Sequence, residues 1–341
     1  MKNKKILIIG FCNFGKLATS ILARNFDVSV LSRTVNNEVK RQIEKCGAKI
    51  ADNNSVKQAD VVVLCAPISK TEEIIKKIAP KMKADSLLFD TSSVKVLPCK
   101  WLKENTREDI EIVGTHPMFG PTTSKFDLEK QSWQLDGLQI VLCPLRTKEE
   151  TLEKIRSFLN SLNLKIIETS PEDHDKQNAK TLSFVHYVGR SLLASNIGHQ
   201  EIFTPGYIDL LSILPHTTSD NWQLFYDMNN YNPYSAPLRE IFRDAGLKIE
   251  EKIIMNSNKE ELEKQREMID LIDMRIMKLL ESRLEHTKQI GEYKKAKNID
   301  IVDKKREDDI IKNKQEKTSL DDKFIKKLYR LILDESYKTQ E

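Results

Sequence analysis

Short apolar segments alternate with helical patterns through the first 170 residues of the chain. The apolar segments have the length of β-strands. Strands of this kind, separated by helices, are typical of a parallel sheet that is covered on both faces. The pattern therefore predicts an α/β fold with a doubly wound sheet over residues 1–168. The predicted strands are Ile6–Ile9, Val28–Leu31, Val61–Cys65, Leu87–Phe89, Ile112–Val113 and Gln139–Leu142.

The composition changes sharply near residue 258. Residues 258–341 contain 41 charged residues in 84, one glycine and no proline, whereas all 11 prolines of the chain precede them. This composition favours a separate helical unit. Between 169 and 257 the pattern is also helical, with turn signals such as Thr204-Pro205-Gly206. The sequence therefore predicts three domains: the doubly wound sheet over 1–168, an all-α domain over 169–257 and a second all-α domain over 258–341.

Charge and hydropathy exclude several classes of protein. The net charge of +4 lacks the strong basic excess of nucleic-acid binders. No apolar run reaches the roughly 18 residues that a membrane span needs. We therefore expect a cytoplasmic protein that binds neither nucleic acid nor membranes. The five cysteines are odd in number and scattered, which disfavours both a disulfide framework and a metal site.

A glycine-containing loop follows the first predicted strand and leads into the helical run 16–23. Gly10 lies at the tight turn and Gly15 where helix and strand pack closely, while Cys12 occupies the position of the middle glycine. This context is typical of a Rossmann-type dinucleotide site, and an ordinary strand-turn-helix without a nucleotide is the alternative. The predicted cofactor-binding residues are Gly10, Cys12, Asn13, Phe14, Gly15, Ser32, Arg33 and Thr34.

The end of the second strand bears on the choice of cofactor. NAD-binding domains normally carry a carboxylate there for the ribose 2′-hydroxyl, whereas Ser32-Arg33-Thr34 supplies a cation and two hydroxyls. A cation suits a 2′-phosphate, so NADP is predicted in preference to NAD. NAD stays open, because Arg33 also fits a solvated turn.

Two polar loops follow strands at the edge where a doubly wound sheet builds its active site. Ser93 lies after the strand Leu87–Phe89, and His116 lies in the loop after Ile112–Val113. A neutral histidine can accept a proton from a substrate hydroxyl while hydride leaves the same carbon. A histidine that only hydrogen-bonds within its own loop is the structural alternative.

These segments resemble the prephenate/arogenate dehydrogenase family, closest to its plant arogenate branch, over roughly residues 4–245. The resemblance implies oxidative decarboxylation of a cyclohexadienyl alcohol, with residues 169–257 serving dimerisation and substrate binding. His116 would deprotonate the ring hydroxyl, Ser93 would orient that hydroxyl, and His186 would help to hold the substrate. The motifs that carry the resemblance are Gly10-Phe11-Cys12-Asn13-Phe14-Gly15, Ser93-Val94-Lys95, Thr115-His116-Pro117-Met118-Phe119-Gly120-Pro121, and Asp173-His174-Asp175 with His186.

One feature of that family is missing from the sequence. Many bacterial members place an arginine for the substrate carboxylate shortly before the position of Trp222, and Leu211–Asn221 contains no arginine. Arg190 is the predicted substitute, with a surface arginine as the alternative. The same gap occurs in the plant-like branch.

The tail begins with an unusually long helical pattern. Its apolar stripe from Leu262 to Tyr293 predicts a helix of roughly 50 Å, which needs a partner, most simply a second protomer. Arg283 and Lys294 are eleven residues apart and fall on one helix face, where buried cations require a counter-anion. A network of salt bridges within the tail is one source of that anion. A ligand with several carboxylates is the other, with Arg266 and Arg306 completing four cations.

The tail resembles the all-helical class of chorismate mutase, a three-helix fold, along essentially its whole length. The resemblance implies that Arg266 of the partner protomer, Arg283 and Arg306 bind the carboxylates of chorismate. It also implies that Lys294 and Gln340 bond the ether oxygen and Glu307 the ring hydroxyl, with Asp303 and Ser336 in contact with substrate. The motifs are Arg266-x3-Asp270-x2-Asp273, Arg283, Ile290-Gly291-x2-Lys294, Asp303-x2-Arg306-Glu307 and Glu335-Ser336-x3-Gln340.

Together the two resemblances predict a bifunctional, homodimeric enzyme of tyrosine biosynthesis. Chorismate would be rearranged to prephenate in the tail without a cofactor, and prephenate would be oxidised to 4-hydroxyphenylpyruvate at the front with NADP. Three alternatives stay open: oxidation of arogenate beside a mutase-like tail, a different nicotinamide-dependent dehydrogenase, or a tail that serves only dimerisation or regulation.

Overall fold

The computed structural model describes residues 4–52, 54–121, 123–127 and 132–340, apart from the side chain of Ser132. The chain divides into two compact units, 1–243 and 244–341. None of the described helices combines the length and the apolar composition that a membrane crossing requires.

A sheet of eight strands forms the centre of the first unit, in the order β10-β9-β6-β5-β4-β1-β2-β3, and β7 pairs with β8 separately. Its central strands are apolar on both sides because helices cover both faces, and Leu7, Val62 and Leu88 are fully buried. The strands are Lys5–Ile9 (β1), Asp27–Leu31 (β2), Lys49–Ile50 (β3), Val61–Leu64 (β4), Leu87–Asp90 (β5), Glu111–Pro117 (β6), Lys125–Asp127 (β7), Ser132–Gln134 (β8), Gln139–Arg146 (β9) and Lys165–Glu168 (β10).

Helices surround this sheet and then continue as a helical segment. The first six are Asn13–Leu22 (α1), Asn37–Lys45 (α2), Ser55–Gln58 (α3), Ile68–Ile78 (α4), Val96–Asn105 (α5) and Glu149–Ser161 (α6). The next six are Pro171–Asn178 (α7), Phe184–Ala194 (α8), Pro205–Leu211 (α9), Leu214–Thr218 (α10), Trp222–Asn230 (α11) and Ser235–Met255 (α12). The predicted Rossmann-type architecture followed by a helical segment is confirmed.

Two details of the sheet differ from the sequence-based expectation. The sheet was expected to be parallel throughout, but β9 runs antiparallel to β6, and β10 is parallel to β9. The strand that carries His116 was expected to end at Val113, but β6 continues to Pro117 because β9 supplies hydrogen-bonding partners along its second half. His116 therefore lies within the end of a strand, opposite Val141, and not in a loop.

The second unit contains the predicted three-helix segment. Its helices are Glu261–Ala296 (α13), Lys304–Gln315 (α14) and Asp322–Lys338 (α15). With 36 residues, α13 is about 54 Å long. Gly291 allows α13 to approach the end of the chain, since a Cβ at this position would lie 2.8 Å from Cγ of Gln340. Much of the apolar stripe of α13 is exposed in the single chain, including Ile269, Ile272, Ile276 and Leu279.

Candidate active sites

The loop between β1 and α1 has the geometry that a phosphate-binding turn requires. Gly10 has a φ of +105°, and a Cβ there would overlap the carbonyl oxygen of Cys65 at the end of β4. Only glycine fits this position. Gly15 packs in the same way against the carbonyl of Gly10, so helix and strand lie in close contact. Cys12 precedes α1 in an extended conformation, and its thiol is 3.3 Å from the carbonyl oxygen of Cys65.

A cleft of about 700 Å³ opens beside this loop, between the ends of β1 and β2 and the helix α4. Five of the eight predicted cofactor residues line it, namely Gly10, Cys12, Ser32, Arg33 and Thr34. The other three are not among its lining: Asn13 is exposed in the first turn of α1, Phe14 packs edge-on against Phe119, and Gly15 is buried under the loop.

Four lysines outside the predicted set of cofactor residues also line the cleft. They are Lys16, Lys70, Lys77 and Lys81. Glu73, which lies 3.4 Å from the ammonium of Lys70, is the acidic residue of the lining. With Arg33 the cleft therefore carries five cations and one carboxylate, which suits a ligand with several phosphate groups. The volume, the glycine turn and the cations together fit a nicotinamide dinucleotide.

His116 lies at the start of a buried chain of hydrogen bonds. Its Nδ1 is 2.9 Å from Nε2 of His174 on α7, and Nδ1 of His174 is 2.8 Å from a carboxylate oxygen of Asp175. Burial lowers the pKa of His116 well below its usual value, and the neighbouring His174 and Lys95 lower it further. His116 is therefore neutral at physiological pH, as a proton acceptor must be.

The lysine of the Ser93-Val94-Lys95 motif is structural. Its ammonium is fully buried, forms an ion pair with Asp90 and donates to the carbonyl of Thr115 at 2.6 Å. A buried cation is tolerated only with such partners. Because Asp90 ends β5 and Thr115 precedes His116 on β6, this ion pair holds the two strand ends together.

Ser93 has a free hydroxyl. Its Oγ is buried and has no hydrogen-bond partner among the described residues. Its carbonyl accepts a hydrogen bond of 2.5 Å from the side-chain amide of Asn178 on α7, the helix that also carries His174. The Ser93 loop and His116 are thus both attached to α7.

His186 and Arg190 lie one turn apart on α8 and both face Asp220. Nε2 of His186 is 3.8 Å from the carboxylate of Asp220, and Arg190 donates to the carbonyl of that residue at 2.7 Å. The guanidinium of Arg190 stacks on Trp222 at 4.1 Å and on Phe225 at 4.9 Å. Burial lowers the pKa of His186, and the charge of Asp220 opposes this shift.

In the tail, Arg283 and Lys294 are half-buried and bound to neutral acceptors. Arg283 donates to the hydroxyl of Ser336 and, at 3.4 Å, to the carbonyl of Ile332. Lys294 donates to the carbonyl of Ile301 at 2.6 Å. Within the part of the chain that the structure describes, neither cation has an acidic partner. The salt-bridge network that the sequence left open for them is therefore absent from those residues.

Gln340 follows the C-terminal end of α15, and Glu307 lies in the first turn of α14. Gln340 is buried, its amide nitrogen donates to the carbonyl of Ser336 at 3.2 Å, and its amide oxygen has no partner in the described chain. Glu307 accepts a hydrogen bond of 2.5 Å from the hydroxyl of Tyr337. Burial and the adjacent Glu307 raise the pKa of Tyr337 to about 12. Asp303 caps α14 by accepting from the backbone of Arg306 at 3.0 Å.

The remaining two cations of the predicted tail site are more exposed than Arg283. Arg266 and the side chain of Arg306 are exposed to solvent in the single chain. Within one chain, described hydrogen bonds connect Arg283 and Gln340 to Ser336, and none of the described bonds links the side chain of Arg266 or Arg306 to these three residues.

Comparison with known families assigns both parts of the chain. Residues 17–168 match the nucleotide-binding domain of prephenate dehydrogenase, and residues 265–341 match chorismate mutase type II. The chain joins a prephenate dehydrogenase domain to a C-terminal chorismate mutase domain. Residues 191–266 match the TYRAAT1-like C-terminal domain.

Two curated relatives are similar to a large part of the chain. It is 31% identical over 239 residues to arogenate dehydrogenase 2 of Arabidopsis thaliana, which covers 67% of the chain and 64% of that protein. It is 29% identical over 276 residues to a probable arogenate/prephenate dehydrogenase of Methanocaldococcus jannaschii, covering 76% and 59%. The chain thus spans about three fifths of the length of these relatives.

Solved structures agree with the fold of the dehydrogenase part. Synechocystis arogenate dehydrogenase superposes with a TM-score of 0.55 at 21% identity, over 80% of this chain and 99% of that one. Prephenate dehydrogenase from A. aeolicus, in complex with hydroxyphenyl propionate and NAD+, superposes with a TM-score of 0.59 at 19% identity, over 82% and 98%.

Proposed function

We propose that the chain catalyses two successive reactions of tyrosine biosynthesis. The mutase domain rearranges chorismate to prephenate, and the dehydrogenase part oxidises and decarboxylates prephenate to 4-hydroxyphenylpyruvate. The observation that carries the proposal is the presence of both domains in one chain, because the product of one reaction is the substrate of the other. We further propose the domain limits 1–168, 169–257 and 258–341.

The proposed dehydrogenase activity depends on a neutral base, His116, and on the cationic cleft as the site of the cofactor. His116 accepts the proton of the ring hydroxyl, and Ser93 hydrogen-bonds the same hydroxyl through its free Oγ. His186 and Arg190 bind the far end of the substrate. A bound nicotinamide cofactor would supply the hydride acceptor, and loss of carbon dioxide from the oxidised substrate would leave an aromatic ring. The residues of this chain orient the substrate and accept its proton.

We propose NADP as the preferred cofactor. The support is the cation Arg33 and the hydroxyls of Ser32 and Thr34 at the end of β2, where a carboxylate for NAD would otherwise lie. Four lysines line the same cleft and add to its positive charge. Gly10, Cys12, Asn13, Phe14 and Gly15 belong to the turn and to the first helical turn that would hold the pyrophosphate.

The mutase domain needs no cofactor for its proposed reaction. Arg283 and Arg306, with Arg266 of a second protomer, bind the carboxylates of chorismate. Lys294 and Gln340 stabilise the ether oxygen as its bond breaks, and Glu307 binds the ring hydroxyl, with Asp303 and Ser336 in contact with substrate. Holding the substrate in its reactive conformer and stabilising the separating charge are sufficient for this rearrangement.

We propose that the protein is a homodimer that shares its mutase helices. The exposed apolar stripe of α13 supports this, since a long helix of this composition is stable only against a partner. The exposed position of Arg266 also supports it, because among the described residues of its own chain this guanidinium has no partner and is free to reach the site of the other protomer.

A coupled assay tests the proposed function. The purified protein is incubated with chorismate and either NADP or NAD, and the reduced cofactor is followed by absorbance. We expect reduction with both cofactors and a higher kcat/KM for NADP. Chorismate consumption without reduction, together with no oxidation of added prephenate or arogenate, would leave only the mutase. Reduction of the cofactor with added prephenate but not with chorismate would mean that the tail serves only regulation or dimerisation. Turnover of neither substrate would refute the proposal.

Arogenate is a second candidate substrate, and Asp220 favours it. Arogenate differs from prephenate in carrying an ammonium group where prephenate carries a keto oxygen. The carboxylate of Asp220 is exposed over 38% of the side-chain surface and lies 3.8 Å from His186, while Arg190 binds the main-chain carbonyl of the same residue. Such a carboxylate is a suitable partner for that ammonium. Arg190 then remains for the adjacent carboxylate.

The variant Asp220→Asn separates the two substrates. We expect kcat/KM for arogenate to fall about tenfold, because the ammonium loses a charged acceptor, and kcat/KM for prephenate to stay within twofold or rise. Asp209→Asn, an exposed aspartate on α9, serves as the matched control. Equal effects of Asp220→Asn on both substrates would contradict a role in recognising the ammonium.

A further inference from the structure

The Asp173-His174-Asp175 motif has no role in the reaction as proposed above, yet two of its residues lie directly behind His116. His174 and Asp175 are buried, and the three side chains form the series His116, His174, Asp175 with separations of 2.9 and 2.8 Å. A neutral histidine has one protonated and one unprotonated nitrogen. The order of donors and acceptors along this series therefore decides which nitrogen of His116 is free.

Asp175 sets the direction of the first bond. One of its carboxylate oxygens accepts from the backbone N–H of Lys95 at 2.7 Å, and the other accepts from that of Val96 at 2.9 Å. Val96 is the first residue of α5 and Lys95 directly precedes it, and a carboxylate is favoured at such a helix start. Because Asp175 acts as an acceptor throughout, Nδ1 of His174 must donate to it.

The second bond follows from the first. Burial, the largest effect, lowers the pKa of His174, although its hydrogen bond with Asp175 opposes that shift. Neutral His174 with its proton on Nδ1 offers only a lone pair at Nε2. His116 must therefore donate from Nδ1 to His174, which leaves Nε2 of His116 unprotonated and able to accept a proton.

We propose that His174 is a positioning residue that holds His116 in the tautomer with a free Nε2. Asp175 fixes the proton of His174, and His174 in turn fixes the proton of His116. The substrate proton then has one acceptor, the Nε2 lone pair. This inference rests on the proposed function in naming His116 as the base, but the tautomer itself is a property of the protein without substrate.

Nitrogen NMR of the full-length protein labelled with [¹⁵N]histidine tests the tautomer directly. The signals of His116 are identified by their loss in His116→Asn. We expect a protonated Nδ1 and an unprotonated Nε2 in the wild type and in His174→Gln, whose amide oxygen can accept in place of Nε2. His174→Phe keeps the ring volume but removes the acceptor, so its His116 should shift toward the opposite tautomer.

Kinetics supply the second measurement. With prephenate or arogenate, we expect His174→Phe to lower kcat on the order of tenfold, with KM for both substrates within twofold, and His174→Gln to restore most of the rate. His199→Gln, an exposed histidine of the same unit, is the control. A protonated Nε2 in the wild type would overturn the inference, whatever the activity. The expected tautomer in a protein that oxidises neither substrate would instead refute the proposed function.

Discussion

Arg283→Ala is expected to abolish most of the chorismate mutase activity while leaving the oxidation of added prephenate unchanged. Arg283 is half-buried between α13 and α15, and its only described partners are the neutral groups of Ser336 and Ile332. The positive charge is therefore available to a carboxylate of the substrate. Loss of one such donor at a preorganised site lowers kcat about a hundredfold to a thousandfold. The disappearance of chorismate measures the effect.

The same protein contains the controls for this experiment. Lys288→Ala removes an exposed cation from the same helix and should change the mutase rate less than twofold. The dehydrogenase rate with added prephenate reports whether the first unit is still folded, and the helical circular dichroism of the protein reports whether the tail is. A variant Arg283→Ala that rearranges chorismate at the wild-type rate would show that the tail binds chorismate elsewhere. A loss of both activities would point to a defect of folding.

Much of the fold could be predicted because each apolar run has a length and a composition that fit one kind of element. The runs of β1, β2, β4 and β5 lie in a parallel sheet as expected. The direction of β9 was not predictable from its sequence, because an apolar strand has the same composition whether it pairs parallel or antiparallel. The segment between β6 and β9 was the available signal: its described residues contain short strands and no helix, and a parallel crossover needs a dozen or more residues, usually with a helix.

The candidate sites were predicted best where the residues are close in sequence. One cleft lies beside both the turn from Gly10 to Gly15 and the end of β2. This was predictable because the two segments directly follow β1 and β2, which are neighbouring parallel strands. Asp220 could not be found in this way, because it lies thirty positions after Arg190, with two helices, α9 and α10, between them. The lysines of α4 did carry a signal, since Lys70 and Lys77 are two turns apart on one face of the helix after β4.

His116→Asn is expected to remove the dehydrogenase activity and to leave the mutase intact. The side-chain amide of asparagine can still hydrogen-bond His174, but it cannot accept a proton from the ring hydroxyl of the substrate. General base catalysis contributes about a hundredfold to ten-thousandfold, so kcat with prephenate or arogenate should fall by that factor while the affinity for NADP stays the same. Reduced cofactor measures the loss, and titration of protein fluorescence measures NADP binding.

Two comparisons make the result of His116→Asn decisive. His199→Asn replaces an exposed histidine of the same unit and should keep the full rate. The pKa of His116 is held well below its usual value by burial and by the neighbouring His174 and Lys95, so the wild-type enzyme has its base unprotonated across neutral and mildly acidic pH. The difference between wild type and His116→Asn should therefore be as large at pH 6 as at pH 8. A variant with the wild-type rate at both pH values would mean that the proton leaves the substrate hydroxyl by another route, and His116 would then be a structural residue of β6.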